Sequence, residues 1–330
     1  MGKLPLTVAT WDYDRVQALV DGRVRIEGCD VNYLTLAPEE TFFRAFGNCE
    51  FDVAEMSMSS YLIALSRGQC GYQAIPVFPS RCFRHSAIYI RTDRGIDKPQ
   101  DLRGRVVGVP EYQMTAALWA RGILADEYGV AAHEMRWRNG GLEETGRHEK
   151  LSLDLPPNIS LEPIAADETL SEMLRTGAID AVVTARAPSS FTRGAPNVGR
   201  LFPDFRSVEK AYFKKTGIFP IMHVLGIRKE LLAQQPWLAS SVFKAFVEAK
   251  TACLPNFEST AALRLMLPWV VSEVDDTRQV MGDDFWPYGF AENRVTLEAA
   301  VKYSAEQGLS RRRMTVEEMF VPSTLETVRI

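Results

Sequence analysis

Cysteine is scarce and scattered here: Cys29, Cys49, Cys70, Cys82 and Cys253 are odd in number among 330 residues and show no CxxC or Cys/His ligand spacing. A disulfide framework and a zinc-ribbon site are therefore excluded, and all five are expected to be reduced and non-catalytic. There are only four histidines, again without metal-ligand spacing, so no metal and no bound cofactor are expected. The chain has no HExxH, no GxGxxG after the first strand-like run, no Walker loop and no GxSxG. These absences remove the zincin, dinucleotide-binding, P-loop and α/β-hydrolase classes. Lys and Arg number 38 against 42 Asp and Glu, and the formal charge of −4 argues against nucleic acid or an anionic membrane as a partner. Long apolar runs are also missing. The opening stretch MGKLPLTVATWDYDRV has neither a secretory apolar core nor a spanning segment, so a cytosolic setting is expected.

What is present is a chain large enough to bury a sizeable core, with strands and helices in alternation. LTVAT precedes the helical DRVQALVDG, and RIEGCDVNYLTL precedes PEETFFRAF, where Pro38 stands at the first helical position and two acids fill the first turn. FDVAEMS reads as a buried strand leading into SSYLIALSRG, with Ser59 or Ser60 as cap and Gly68 as stop. The pattern restarts with DLRGRVVGV, a break at Pro110 and a long helix, then MRWRNGG, a polar loop LEETGRHEKLSLDLPPNIS, and a helix and strand in DETLSEMLRTGAIDAVVTARAP. TGIFPIMHVLGIRKEL returns as an apolar strand before a strong helix that starts near Pro236. This alternation predicts an α/β fold with mostly parallel sheets covered on both faces.

DLRGRVVGV and LRTGAIDAVVTARAP resemble the second-lobe signatures of type II periplasmic solute-binding proteins. More closely, TVATWDYDRVQALVDGRV, FDVAEMSMSSY, AIPVFPSRCFRHSAIYIRTDRGI, VGVPEYQMTAALWARG, TGIFPIMHVLGIR and DDFWPYG together resemble the 4,5-dihydroxyphthalate decarboxylase family. The resemblance implies a two-lobed type II periplasmic-binding-protein-like clamp with mixed, mostly parallel sheets. It further implies a cytosolic carboxy-lyase of phthalate catabolism that turns 4,5-dihydroxyphthalate into protocatechuate and carbon dioxide. The partner expected is a small aromatic dicarboxylate, with a homo-oligomer left open. Residues 1–90 with 215–330 are expected to form the first lobe and residues 91–214 the second, with crossings near 87–95 and 205–220. Two other readings stay open: a cytosolic binder of aromatic carboxylates without catalysis, and a decarboxylase of a related hydroxylated acid.

Candidate site residues follow from strand ends, where open α/β sheets bind ligands. Glu111, Tyr112, Gln113 and Thr115 lie where RVVGV gives way to a helix, and Ser57, Ser59 and Ser60 follow FDVAEM. Trp11, Asp12 and Tyr13 follow LTVAT, and Thr184 and Arg186 follow IDAVV. If 81–90 is extended, Arg81 and His85 share one face and Arg84 takes the other. An aromatic diacid needs guanidinium partners, so Arg81 and Arg84 are candidate carboxylate clamps. Ring protonation needs an acid with a near-neutral pKa, supplied by His223 or by its rival His85. Glu111, Asp12 or Tyr112 would polarise the catechol, and Trp286 of WPYG would stack on the ring. His133 and His148 lie in polar segments and read as solvated.

Overall fold

The computed structural model describes residues 2–326. In chain order the strands are β1 (Leu4–Thr10), β2 (Cys29–Thr35), β3 (Val53–Ser57), β4 (Tyr72–Arg81), β5 (Ile88–Arg91), β6 (Val106–Val109), β7 (Arg136–Asn139), β8 (Ser160–Pro163), β9 (Ala181–Val183), β10 (Val198–Arg200) and β11 (Ile221–Arg228). They build two mixed sheets. The first runs β2-β1-β3-β11-β4 and the second β10-β5-β9-β6-β7-β8. Within the first, β1 pairs in parallel with β2 and β3, and the late strand β11 inserts antiparallel between β3 and β4.

The chain leaves the first sheet after Arg81 and enters the second at Ile88, so the passage falls at residues 82–87, ahead of the expected 87–95. Residues 81–90 are accordingly not one extended run. β4 stops where β11 stops pairing with it, at Ile221 opposite Arg81, and a short helical turn spans His85–Ala87. The alternation argument for Arg81, Arg84 and His85 fails with it. The return uses the helix Phe205–Thr216, capped by the Asp204 side chain, which accepts from the Ser207 amide at 3.3 Å.

Local chemistry explains the elements that frame the cleft. The helix Pro38–Asn48 begins with Pro38 and carries Glu39 and Glu40 in its first turn, favourable against the helix dipole. The helix Met58–Ser66 is capped by Ser57 rather than by Ser59 or Ser60: β3 passes into it without a loop, and the Ser57 oxygen accepts from the Ser60 amide. The helix Thr115–Tyr128 ties the sheets together, since the Trp119 indole donates to the Ile221 carbonyl at 2.9 Å. The helix Arg294–Glu306 approaches it so closely at Gly122 that an added Cβ would lie 2.2 Å from the Tyr303 ring. Among the described residues no helix is long and apolar enough to cross a membrane.

Candidate active site

The carboxyl ends of β3, β6 and β9 converge on a cleft of about 200 Å³. One wall comes from the first sheet and its helices, with Pro38, Phe42, Ser57, Ser80, Arg84, Met222 and His223; the other carries Pro110, Met114, Thr115, Leu142, Arg147, Lys150, Thr184 and Arg186. Sites for drug-sized ligands typically hold roughly 300–1,000 Å³. This smaller, cation-rich cleft suits a single substituted ring.

His223 sits on β11 opposite Ser57 of β3, and Glu55 lies two residues back on the same face of β3. The His223 Nδ1 meets Glu55 Oε1 at 2.5 Å. Glu55 is fully buried and also accepts from the Trp11 amide at 2.8 Å and the Tyr13 hydroxyl at 2.7 Å. Burial alone pushes the Glu55 carboxyl up. The charge of His223 and these hydrogen bonds outweigh it and hold the group below the usual carboxylate range. Burial, then Glu55, pushes the Tyr13 phenol well up, so it stays protonated and donates. With Glu55 an anion, Nδ1 is the donor and Nε2 is left for the cleft. The Phe42 ring packs edge-on against the imidazole at 4.8 Å between centroids. Such a pair can hold and release a proton at one fixed atom.

Arg84 lines the same wall. Its Nε lies 3.1 Å from the Met222 sulfur, and among the described residues it forms no ion pair with a carboxylate. Burial lowers its pKa, and the charge of Glu209, which makes no direct ion pair with it, offsets only part of that cost. Arg186 also lines the cleft but pairs with Glu39 across the mouth at 2.8 Å. Thr115 joins the walls: its hydroxyl is 2.9 Å from the Ser57 hydroxyl and accepts from the Ser59 amide at 3.1 Å. Thr184, just past the end of β9, also lines the cleft.

The other predicted residues stand behind or away from the lining. Arg81 is buried and donates to the carbonyls of Phe219 at 3.1 Å and Pro287 at 2.8 Å and to the Asn293 side chain, which makes it a tie for the C-terminal segment. His85 is packed against the rings of Phe202 and Tyr212, neither nitrogen has a hydrogen-bond partner among the described residues, and burial lowers its pKa to about 4. Glu111 is fully buried and binds Arg147 and Lys150. Ser60 donates to Gln113, whose amide reaches Glu149 and the Leu151 carbonyl. Tyr112 is stacked under Arg121 at 3.8 Å. Asp12 is exposed and bonded to the Gln17 side chain, Trp11 is 42% exposed, and the Trp286 indole donates to the Phe78 carbonyl. His133 and His148 are both exposed. Among the described residues no three His, Cys, Asp or Glu side chains gather as a metal site would require.

Sequence reasoning missed Glu55, Arg147 and Lys150. A lone acid inside the apolar strand FDVAEMS was the available signal for Glu55; Arg147 and Lys150 lie in a polar loop where nothing distinguishes them from solvated charges.

No family model matches the chain. It is 44% identical over its full 330 residues, and over all of the relative, to 4,5-dihydroxyphthalate decarboxylase of Comamonas testosteroni. It is 47% identical over 214 residues to the protein of the same name from Pseudomonas putida, 65% of this chain and 83% of that one. Among solved structures it resembles the periplasmic aliphatic sulphonate binding protein SsuA from Escherichia coli, with a TM-score of 0.54 at 13% identity, covering 98% of this chain and 99% of that one. At that identity the likeness speaks for the two-lobed fold alone.

Proposed function

The chain belongs to the 4,5-dihydroxyphthalate decarboxylase family, and from that premise we propose that it is a carboxy-lyase converting 4,5-dihydroxyphthalate to protocatechuate and carbon dioxide, in the cytosol and in the cleft between the two sheets. The observation that carries the reading is the Glu55–His223 pair beside Arg84, a cleft cation that no carboxylate among the described residues pairs with directly.

The reaction itself asks little of the protein. In this diacid each carboxylate has a hydroxyl para to it, and electron density from that oxygen makes the carboxylate-bearing carbon basic. His223, as imidazolium, delivers its Nε2 proton to that carbon. The carbon–carbon bond to the carboxylate then breaks, its electron pair returns to the ring and carbon dioxide leaves. Glu55 keeps the imidazole in one orientation and balances its charge, and Trp11 and Tyr13 keep Glu55 ionised. Arg84 fixes a carboxylate by charge-assisted hydrogen bonds. Phe42, Met114, Leu142 and Met222 give the ring apolar contact.

Incubating purified protein with 4,5-dihydroxyphthalate and following protocatechuate by chromatography tests this. Stoichiometric protocatechuate and carbon dioxide are expected. Binding without turnover would leave the non-catalytic binder, and turnover only of another hydroxylated acid would keep the chemistry and move the substrate.

A further inference from the structure

The second wall of the cleft carries a cationic device that the acid and Arg84 do not account for. Glu111, with no exposed surface, stands at the carboxyl end of β6 and accepts from Arg147 through Nε at 2.9 Å and a terminal nitrogen at 2.7 Å, both onto Oε1. Lys150 donates to the other oxygen at 2.5 Å. One carboxylate thus holds two cations three residues apart on the polar loop. Both of those cations line the cleft, and the Lys150 side chain is only 6% exposed. Glu111 neutralises one of the two.

Glu149, on the same loop, spends its oxygens on the Tyr112 and Gln113 amides and the Gln113 side chain, so among the described residues Glu111 is the carboxylate that ion-pairs with both cations. On the other wall Arg84 has no carboxylate in ion-pair contact among the described residues, Glu209 acting on it only at longer range, while the mouth pair Arg186–Glu39 cancels and Glu55 answers His223. Cleft-lining cations on each side of a small cleft match a ligand with two carboxylates. Buried cations that share one carboxylate, or have none in direct contact, are costly, so both walls favour an anion between them.

We propose that Arg147 and Lys150 form a second carboxylate subsite on this wall and that Glu111 is the positioning residue that aims them, so that the cleft selects dicarboxylates over monocarboxylates. The subsite rests on the reading of the cleft as an aromatic diacid site. It deepens that reading in one respect: the reaction removes one of the two carboxylates, so the product keeps one anchor where the substrate had two, and product release follows from the chemistry itself.

Calorimetry with phthalate and benzoate separates the possibilities, because neither carries the hydroxyls that the reaction needs. The parent protein should bind phthalate roughly ten- to hundredfold more tightly than benzoate, the worth of one charge-assisted anchor. Lys150→Met and Arg147→Met should bring phthalate down towards benzoate while benzoate itself changes little. Glu111→Gln distinguishes positioning from charge: it adds net positive charge to the cleft, yet a positioning role requires weaker phthalate binding and a raised KM for the hydroxylated diacid. Circular dichroism and a thermal melt establish that each variant is folded; if Glu111→Gln is not, the two loop variants decide. Parent preference for phthalate that survives both loop substitutions, or tighter binding by folded Glu111→Gln, overturns the subsite while leaving the decarboxylase reading intact. Failure of the parent to bind either acid or 4,5-dihydroxyphthalate overturns the cleft reading and the subsite together.

Discussion

His223 on β11 and Glu55 on β3 meet at 2.5 Å as diagonal neighbours across an antiparallel ladder, with the carboxylate fully buried and the imidazole at the cleft. A carboxylate in that position is expensive unless it is satisfied. Trp11, Tyr13 and His223 satisfy it, so the strand geometry itself delivers an oriented imidazole to the cleft.

The first prediction concerns that pair. His223→Asn should lower kcat by roughly a hundred- to ten-thousand-fold with KM little changed, the signature of a lost general acid. Glu55→Gln should act in the same direction on kcat, and the double variant should lose no more than about the larger single loss, because the two residues act as a unit. Additive losses in steady-state rates would separate the two residues into independent roles.

Arg81 and Arg84 are expected to part company. Arg84→Met removes the cation that faces the cleft, so KM should rise roughly tenfold or more while the melting temperature stays close to the parent's. Arg81→Met leaves the Phe219 carbonyl without its side-chain donor and the Pro287 carbonyl with the Asn293 amide alone, and should cost about 1–3 kcal/mol of stability, with near-normal KM in the folded fraction. Urea melts alongside steady-state kinetics read both. A reversed pattern would return Arg81 to the clamp.

Much of this architecture was legible because hydrophobic alternation and caps are local. Pro38, Gly68 and the run LTVAT announced their elements, and strand ends announced Ser57, Thr115, Thr184 and Arg186 as rim residues. The passage between sheets was not legible. Whether Arg81, Arg84 and His85 continue a strand depends on whether β11 is still beside them, and that neighbour is some 140 residues away in sequence. The same holds for Glu55: its partner His223 is 168 residues distant, so the sequence shows only an acid in an apolar strand. Arg147 and Lys150 are further still from local signals, since a loop charge becomes a cleft charge only through Glu111.

The pair across the cleft mouth should matter little. The Arg186 side chain is 69% exposed, and surface ion pairs of this kind contribute about 0–1 kcal/mol. Arg186→Met is expected to shift stability by less than about 1 kcal/mol and KM by less than about fivefold. A loss comparable to that of Arg84→Met would instead make Arg186 a substrate contact, with Glu39 its resting counterion.

His85 gives a prediction about pH. Burial against Phe202 and Tyr212 lowers its pKa from the ordinary 6.5 to about 4, so the folded protein resists a proton that the unfolded chain accepts. Above pH 6.5 both states are neutral at this position and the group is silent. Between 6.5 and 4 the unfolded chain binds the extra proton, so stability falls as pH falls, by a total of about 3 kcal/mol, and below pH 4 the contribution is constant. His85→Leu keeps an apolar side chain between the two rings and deletes the titration. Its stability, measured by urea unfolding at pH 7 and pH 4.5, should therefore drop less on acidification than the parent's, by up to that amount, because the carboxylates that titrate in the same range are common to both. Parallel losses in parent and variant would mean that the folded state takes up the proton at His85 as readily as the unfolded chain does, and the ring would then have to reach water or an acceptor that the packing against Phe202 and Tyr212 denies it.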